Sequence, residues 1–300
     1  MNFIKHTKLW FGLSALLILP GLIALAVWGL NLGIDFRGGA LIEVQFTNQT
    51  DISTATIVDN LKDLNLAHIS AQQAGQGTIL LRTEPINEEK HAAILRALTE
   101  RVGEHQEIRF ESVGPTISQD LTRKAVSAVL VASAAIIVYI AWSFRGLPRP
   151  ASSWRFGVSA VLALLHDLAF IIGAFAILGH YLHYEVDSLF ITALLTIMGF
   201  SVHDTIVVFD RMRENLKRFP HQSFAETANI SLSQTLGRSL GTSLTVLLVL
   251  LSLFLLGPVT IRPFTLALLL GITIGTFSSI FFATPLVVAW QHALSRQKSA

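Results

Sequence analysis

The sequence predicts a polytopic α-helical membrane protein of six spans, with one small α+β domain inserted between the first and second spans. Of the 300 residues, 52% are hydrophobic and only 14% are charged, whereas soluble domains carry about 25% charged residues. Six apolar runs are each long enough to cross a bilayer core of about 30 Å. The stretch between the first two runs is instead rich in carboxylates.

The apolar runs divide the chain into segments. They are Leu9–Leu30, Ala125–Phe144, Phe156–Leu178, Val186–Phe209, Leu240–Gly257 and Phe264–Trp290. The first run is too long for the core of a signal peptide, so we interpret it as an uncleaved anchor. We therefore predict an N-terminus and first span at 1–32, an inserted domain at 33–122, a five-helix membrane domain at 123–292 and a tail at 293–300.

Charge is distributed unevenly along the chain. Residues 33–122 hold seven Lys or Arg and thirteen Asp or Glu, a net charge of −6, and the remainder carries +8. The short loops after the second and fourth spans are basic (Arg149 and Arg218 among them), as are both ends of the chain, whereas the loops after the third and fifth spans contain only Arg262. Because basic loops stay in the cytoplasm, the pattern places both termini there and the inserted domain in the periplasm.

Composition also excludes some functions. The chain has no cysteine, which removes disulfides and thiolate metal sites, and no cluster of metal ligands or cofactor motif is present, so we expect neither. No long basic run with interleaved aromatic residues occurs, so nucleic acid is not an expected partner.

The inserted domain has its own order of predicted elements. Alternation and helical spacing predict six elements in the order β-α-β-β-α-β: Leu41–Phe46, Thr54–Leu64, His68–Gln73, Thr78–Thr83, Asn87–Val102 and Glu107–Val113. Asn87 is a candidate N-cap of the second helix. This order is typical of a ferredoxin-like domain. Its carboxylates are scattered along helix surfaces, which predicts a solvated face and not a catalytic cluster.

Two His-Asp pairs lie inside predicted spans. His203 and Asp204 are in the fourth span, and His166 and Asp167 are near the middle of the third. An unpaired charge inside a bilayer costs about 2.5–3.5 kcal/mol even on the lenient insertion scale, so such residues face a protein interior. Two interpretations stay open for each pair: a proton path, since histidine titrates near pH 6.5, or a hydrogen-bonded pair that only locks helices together. Asp210 lies at the membrane interface, where a charge costs less, and is a further candidate.

Arg238 lies at the mouth of the fifth span. The surrounding residues are hydroxylic: Ser233, Thr235, Ser239, Thr242 and Ser243. One interpretation is an arginine that extends its charge to the interface. The other is a counter-ion for Asp204, which would tune the proton affinity of that acid.

The junction between the first span and the inserted domain reads NLGIDFRGGALIEV over Asn31–Val44. Gly33, Gly38 and Gly39 permit sharp turns and positive φ angles, and Asp35 lies between them. We interpret this segment as a rigid junction; direct contact with a substrate is the alternative.

At these residues the chain resembles the SecF proteins of the SecD/SecF family, which is similar to resistance-nodulation-division transporters. The family motif LGIDFxGG matches Leu32–Gly39, and VGPxIxxDL matches Val113–Leu121. GxSxNDTxVVFDRxREN matches Gly199–Asn215, and SLxQTLxRxLxTSL matches Ser231–Leu244. The likeness runs from end to end, with the motifs in the expected order.

The resemblance implies a subunit of the Sec export machinery that uses the proton-motive force to complete polypeptide translocation. It implies a SecD-like partner subunit, a SecYEG-like channel, an unfolded preprotein substrate and the lipid of the bacterial cytoplasmic membrane. Asp204 matches the family's proton-conducting aspartate, and Arg238 the arginine proposed to interact with it. One departure is His203, where the family usually has Asn; this leaves open whether a second titrating group is added.

Three alternatives compete with this interpretation. A proton-coupled small-molecule exporter of the resistance-nodulation-division type would carry twelve spans and two large external loops, so the chain would be half of one. A non-conducting scaffold for SecD would have the same sequence features. An intramembrane enzyme using Ser201, His203 and Asp204 is excluded, because side chains so close on one helix point in different directions and cannot form a triad.

Overall fold

We describe the fold from a computed structural model, which describes residues 3–47, 52–64, 66, 69–75, 77–145 and 152–297. The predicted strand start His68, the basic loop residue Arg149 and the last three residues of the predicted tail (298–300) lie outside these ranges. Contacts divide the chain into two compact units. A helical unit contains Met1–Asn31, Ser127–Gly257 and Ile261–Ala300, and a sheet unit contains Leu32–Val126 with Pro258–Thr260.

The described residues of the sheet unit form four strands in the order β2-β3-β1-β4, and every neighbouring pair is antiparallel. Its elements are α2 (Ile34–Arg37), β1 (Gly39–Phe46), α3 (Thr54–Leu61), β2 (Ser70–Gln73), β3 (Thr78–Thr83), α4 (Glu88–Arg101) and β4 (His105–Val113). Asn87 is the N-cap of α4, since its side chain accepts a hydrogen bond from the Lys90 backbone N–H. The residues between Leu61 and Leu64 form a 3₁₀ turn instead of the predicted end of a longer α-helix.

Alternate side chains of the strands build the core of the sheet unit. Ile42 and Val44 of β1 and Ile79 and Leu81 of β3 are at most 2% exposed. They form one cluster with apolar residues of α3 and α4, among them Ile57, Leu61, Ile94 and Leu98. The apolar face of the strands, which carries every second side chain, therefore packs against the apolar faces of the two helices in one layer.

The glycine junction contains the short helix α2, which was not predicted. Gly38 and Gly39 adopt φ angles of 78° and 146°, as expected. Gly33 has a φ of −73° and is the extended N-cap of α2. Asp35 lies in the first turn of α2, where a negative charge complements the helix dipole.

Glu43 gives the sheet unit a pH-dependent stability. It lies in β1 opposite Arg109 and is only 8% exposed. Burial raises the pKa of Glu43 above its ordinary value of 4.5, and Arg109 counteracts this in part. The folded state therefore holds the proton more tightly than the unfolded chain, and this contribution to stability is lost as the pH rises through the folded pKa.

We expect Glu43→Gln to slow hydrogen–deuterium exchange of the β1 amides at neutral pH, because it removes a buried charge. The difference from the wild type should disappear below pH 4.5, the ordinary glutamate value. The matched control is Glu100→Gln, an exposed position on α4. Faster β1 exchange in Glu43→Gln at neutral pH would show that the contact with Arg109 outweighs the cost of burial.

The helical unit supplies the membrane-spanning elements. Within the described part of the chain, six helices are long and apolar enough to span a bilayer. They are α1 (Thr7–Trp28), α5 (Pro115–Ser143), α6 (Ser153–Leu182), α7 (Ser188–Arg218), α8 (Phe224–Leu256) and a sixth formed by α9 (Arg262–Ser278), a π-helical segment (Ser279–Ala283) and α10 (Thr284–Gln297). Helix α8 begins sixteen residues before the predicted Leu240, because Ser223 and Glu226 form a capping box at Phe224.

Helices α6, α7 and α9 form the most buried part of the helical unit. Glycines bring α9 against α7: a Cβ on Gly271 would overlap the side chain of Ile197, and one on Gly275 would lie 3.0 Å from Ser201 Cβ. Phe156 and Phe209 pack edge to face with ring centroids 4.9 Å apart. This contact holds the first turn of α6 against α7. This close approach positions the polar residues of the three helices.

Candidate functional site

Asp167 is the most completely enclosed acid of the helical unit. It lies on α6 with 0% exposure. Its Oδ2 accepts hydrogen bonds from Ser201 Oγ of α7 at 2.5 Å and from Ser278 Oγ of α9 at 2.8 Å, and its Oδ1 lies 2.9 Å from His166 Nδ1. The Asp167 carboxylate thus links α6, α7 and α9 through hydrogen bonds. A carboxylate with three donors is well compensated for the loss of water.

His166 is buried beside Asp167 and is 6% exposed. Its Nδ1 contacts the carboxylate, and its ring centroid is 4.6 Å from that of Phe282. Its Nε2 is buried and finds no hydrogen-bond partner among the described residues. The hydrogen-bonded pair that the sequence left as one interpretation is therefore formed, with one histidine nitrogen left for a water or a proton.

Asp204 is the second buried acid of the helical unit. It lies on α7 and is 3% exposed. Its only geometrically defined hydrogen bond among the described residues is a long one, 3.5 Å from Thr276 Oγ1 of α9. Thr276 in turn lies 2.6 Å from Ser243 Oγ of α8. Ser239 lies beside the Asp204 carboxylate, but its Oγ lacks a partner at hydrogen-bonding geometry. Asp204 is thus buried without the set of donors that surrounds Asp167.

Three other predicted residues lie on the surface of this chain. His203, Asp210 and Arg238 are exposed. Salt bridges between described residues do not include one between Asp204 and Arg238, so the counter-ion arrangement that the sequence left open is not formed in this conformation. Arg238 instead lines a cavity of about 320 Å³ between α7 and α8, together with Asp210 and Glu214.

A hydrogen-bonded group joins α7 to α8 at one end of this cavity. Gln234 Oε1 of α8 accepts from Arg211 Nε at 2.7 Å and from Asn215 Nδ2 at 2.9 Å. Asn215 Nδ2 also lies 2.9 Å from Ser231 Oγ. The two longest motifs of the sequence, in α7 and α8, therefore meet through these side chains, which we call the α7–α8 clamp (Arg211, Asn215, Ser231 and Gln234).

Sequence reasoning missed the contribution of α9. Thr276 contacts Asp204 and Ser278 contacts Asp167, yet the sequence analysis names no candidate residue in the sixth span. The signal that could have found it was the cluster of hydroxyl side chains Thr273, Thr276, Ser278 and Ser279 within an apolar span. The π-helical segment starts directly after Ser278, and such segments are frequent at functional sites.

Spanning helices around two enclosed aspartates define a multi-span membrane protein of the transport class. The family model for "Protein export membrane protein SecD/SecF, C-terminal" matches residues 94–293, and the "SecD/SecF GG Motif" matches residues 23–50. The chain belongs to the SecD/SecF family, as a SecF-like subunit of the Sec protein-export machinery. It is a multi-pass protein of the bacterial cytoplasmic membrane.

Relatives match over nearly the whole chain. Protein translocase subunit SecF of Anaerolinea thermophila is 40% identical over 97% of this chain and 94% of the relative. The SecF subunit of Thermobaculum terrenum is 42% identical, with the same two coverages. Protein translocase subunit SecDF of Thermus thermophilus is 36% identical over 96% of this chain but 38% of its own length.

Solved structures of SecDF share the fold. The crystal structure of SecDF from Thermus, described as a translocon-associated membrane protein, has a TM-score of 0.86 at 35% identity over 97% of this chain and 39% of that one. A super-membrane-facing form of SecDF has a TM-score of 0.71 over 100% of this chain and 40% of that one. This chain therefore corresponds to less than half of a SecDF chain, and a SecD-type partner supplies the remainder.

Proposed function

We propose that this subunit, together with its SecD-like partner, uses the proton-motive force to drive polypeptide translocation, and that Asp204 takes up and releases the proton. The observation that carries the proposal is the contrast between the two buried acids. Asp167 is held by polar side chains from three helices, whereas among the described residues Asp204 has one long hydrogen bond from Thr276 and the nearby hydroxyl of Ser239. Protonation of Asp204 therefore breaks little structure, while protonation of Asp167 would disturb a junction of three helices.

We propose that the other candidate residues assist proton transfer at Asp204. Arg238 approaches Asp204 in a second conformation and is separated from it in the one described, so that pairing and proton binding alternate. His203 and Asp210, exposed on the same helix as Asp204, face the partner or an aqueous path. His166 and Asp167 act as a relay only if the free Nε2 of His166 exchanges a proton with Asp204 through water.

The orientation follows from the charged loops. We propose that both termini are cytoplasmic and that the sheet unit is a ferredoxin-like periplasmic domain, which contacts the emerging preprotein beside a SecYEG-like channel. Support comes from the order β2-β3-β1-β4 and from the basic loops on one side. The Gly33–Gly39 junction, with Asp35 in α2, serves as the rigid connection to the first span.

The membrane potential supplies enough energy for such a cycle. Moving one charge across the membrane is worth about 2.3 kcal/mol per 100 mV, a factor of roughly 50 in an equilibrium constant. That is sufficient to bias two conformations of the helical unit strongly.

Translocation of a preprotein into inverted vesicles, with and without a proton gradient, tests the proposal. We expect Asp204→Asn to abolish the gradient-dependent component while the ATP-driven component and assembly with the SecD-like partner persist; Arg238→Met should have the same effect. The matched control is Asp59→Asn, which removes an exposed carboxylate that pairs with Lys62. Gradient-driven translocation that survives in Asp204→Asn would instead support a scaffold.

A further inference from the structure

The segment that precedes α1 folds back against the beginning of α8. Phe3 is 4% exposed, and its backbone N–H donates a hydrogen bond to Asn229 Oδ1 of α8 at 2.7 Å. Its carbonyl oxygen accepts a hydrogen bond from Trp10 Nε1 of α1 at 3.0 Å, and its ring lies edge-on to that of Phe281. A short 3₁₀ turn, Ile4–His6, then leads into α1. This segment is therefore held in place by both α8 and the sixth span.

A cavity of about 480 Å³ lies between the 3₁₀ turn and the start of α8. Its wall combines apolar, amide and charged side chains, among them Ile4, Lys5, Gln222, Glu226, Asn229 and Ile230. The volume falls within the range of about 300–1,000 Å³ that is usual for small-molecule sites. A wall of this mixed character suits an amphipathic ligand, which presents both charged and apolar groups.

The position of the cavity along α1 corresponds to the head-group layer of a bilayer. Lys5 lies four residues before Leu9, where the first apolar run begins, which is about 6–8 Å at helical rises per residue. The polar layer on each side of the hydrocarbon core is about 5–7 Å thick. Trp10, which donates to the Phe3 carbonyl, is of the residue type that is enriched at this interface.

An apolar stripe on α1 begins about one turn after Lys5. Leu9, Leu13 and Leu16 are spaced by four and three residues, so they lie on one face of the helix, and each is at least 36% exposed. The order along this face is a cation followed by three exposed leucines. A molecule with a charged head and a hydrocarbon tail has the same order of groups.

The two charges in the cavity wall have opposite signs. Lys5 supplies an ammonium group, which binds phosphate as a point charge. Glu226 supplies a carboxylate whose Oε2 accepts hydrogen bonds from the backbone N–H and the hydroxyl of Ser223, at 3.0 and 2.8 Å. Among the described residues, no hydrogen bond engages Glu226 Oε1, so this oxygen can accept one from a ligand. The charges therefore complement a ligand that carries both a phosphate and an ammonium group.

We propose that this cavity binds one phospholipid whose head group carries a phosphate and a primary ammonium, as in phosphatidylethanolamine. The phosphate lies at Lys5, the ammonium donates to Glu226 Oε1, and an acyl chain follows the leucine stripe of α1. An anionic phospholipid fits less well, because it brings no cation to Glu226. This inference goes beyond the proposed function and does not depend on proton coupling; only its assignment to the cytoplasmic leaflet rests on the proposed orientation.

Native mass spectrometry of the delipidated full chain, purified with its SecD-like partner, tests the proposal. The complex is titrated with phosphatidylethanolamine, phosphatidylcholine and phosphatidylglycerol of identical acyl chains. Phosphatidylcholine keeps both charges but has no N–H donor, and phosphatidylglycerol has no ammonium. We expect the first phosphatidylethanolamine to bind at least about tenfold more tightly than either of the others, because a hydrogen bond between charged groups is lost with both.

Two variants assign this preference to the cavity. Lys5→Gln should weaken binding of all three phospholipids, since each carries the phosphate. Glu226→Gln should remove only the preference for phosphatidylethanolamine, and it preserves the capping box because glutamine also serves at that position. The matched control is Lys8→Gln, which removes an exposed charge from α1 outside the cavity wall and should bind like the wild type.

Equal affinity of the wild type for the three phospholipids would overturn the proposal, as would a preference that persists in Glu226→Gln. If Lys8→Gln weakens binding as much as Lys5→Gln, the attraction is a general one to the basic end of α1 and the cavity is not the site. Competition by glycerophosphoethanolamine, the head group without acyl chains, at concentrations similar to those of the lipid would assign the cavity to a soluble phosphate compound and reject the lipid. Glu226→Gln decides alone if Lys5→Gln fails to assemble with the partner.

The lipid result is separate from gradient-driven translocation. Asp204→Asn should retain the preference for phosphatidylethanolamine, because Asp204 is not part of the cavity wall. A lost preference in Glu226→Gln supports the lipid site even if Asp204→Asn keeps gradient-driven translocation. Failure of the proposed proton site therefore leaves the lipid site standing, and failure of the lipid site leaves the proton site standing.

Discussion

Replacing Asp167 by alanine is expected to lower the thermal stability of the helical unit strongly, by about 5–10 °C. The substitution removes the acceptor for Ser201, Ser278 and His166 together and leaves an unfilled space between α6, α7 and α9. Removing one partner from a buried, hydrogen-bonded charged group costs about 2–5 kcal/mol. Asp167→Asn should cost much less, because its amide oxygen still accepts from the two serines.

The measurement is the fraction of detergent-solubilised protein that remains monodisperse after heating, compared with Asp204→Ala as the matched buried-acid variant. We expect different outcomes for the two acids: Asp167→Ala loses three hydrogen-bond contacts and much stability, whereas Asp204→Ala loses little stability and loses gradient-driven translocation. If Asp167→Ala melts at the same temperature as the wild type and loses only gradient-driven translocation, then Asp167 is itself part of the proton path.

Much of this architecture follows from local sequence features. Hydropathy predicts the six spans because each must cover the bilayer with apolar residues, and the alternation in Leu41–Phe46 predicts β1 because one face of the strand is buried. Asp204 and the His166–Asp167 pair are recognisable as candidates because charges inside a membrane are costly. Each of these signals lies within a few residues of the position that it predicts.

The remaining features depend on contacts between distant residues. Ser278 reaches Asp167 across 111 positions and Thr276 reaches Asp204 across 72, and no pattern within a single span specifies which helix faces which. The start of α8 was misplaced for a related reason. Its first turns are polar, and hydropathy cannot distinguish a loop from a helix whose hydroxyl face is buried against a neighbour.

The second large effect is expected at Gly21, where α1 crosses α6. A Cβ atom on Gly21 would lie 2.8 Å from Gly173 Cα and 2.9 Å from Gly173 C. These are backbone atoms and cannot rotate away, so a larger side chain must push the two helices apart. Gly21→Val therefore costs at least the roughly 1–3 kcal/mol of ordinary overpacking. It also strains contacts farther along α1, including the stacking of Trp28 on His180 at 4.1 Å.

Gly12→Val is the matched control, because Gly12 lies on the same helix and a Cβ atom there would have no other atom within 4 Å. Both variants make the same chemical change in the same apolar helix, so any difference in heat resistance reports the crossing itself. We expect the melting temperature of Gly12→Val to equal that of the wild type and the melting temperature of Gly21→Val to be several degrees lower. Gly173→Val should melt at about the same temperature as Gly21→Val. Equal melting of Gly12→Val and Gly21→Val would mean that α1 is free to move away from α6. In that case the first span anchors the chain in the bilayer without contributing to the packing of the helical unit.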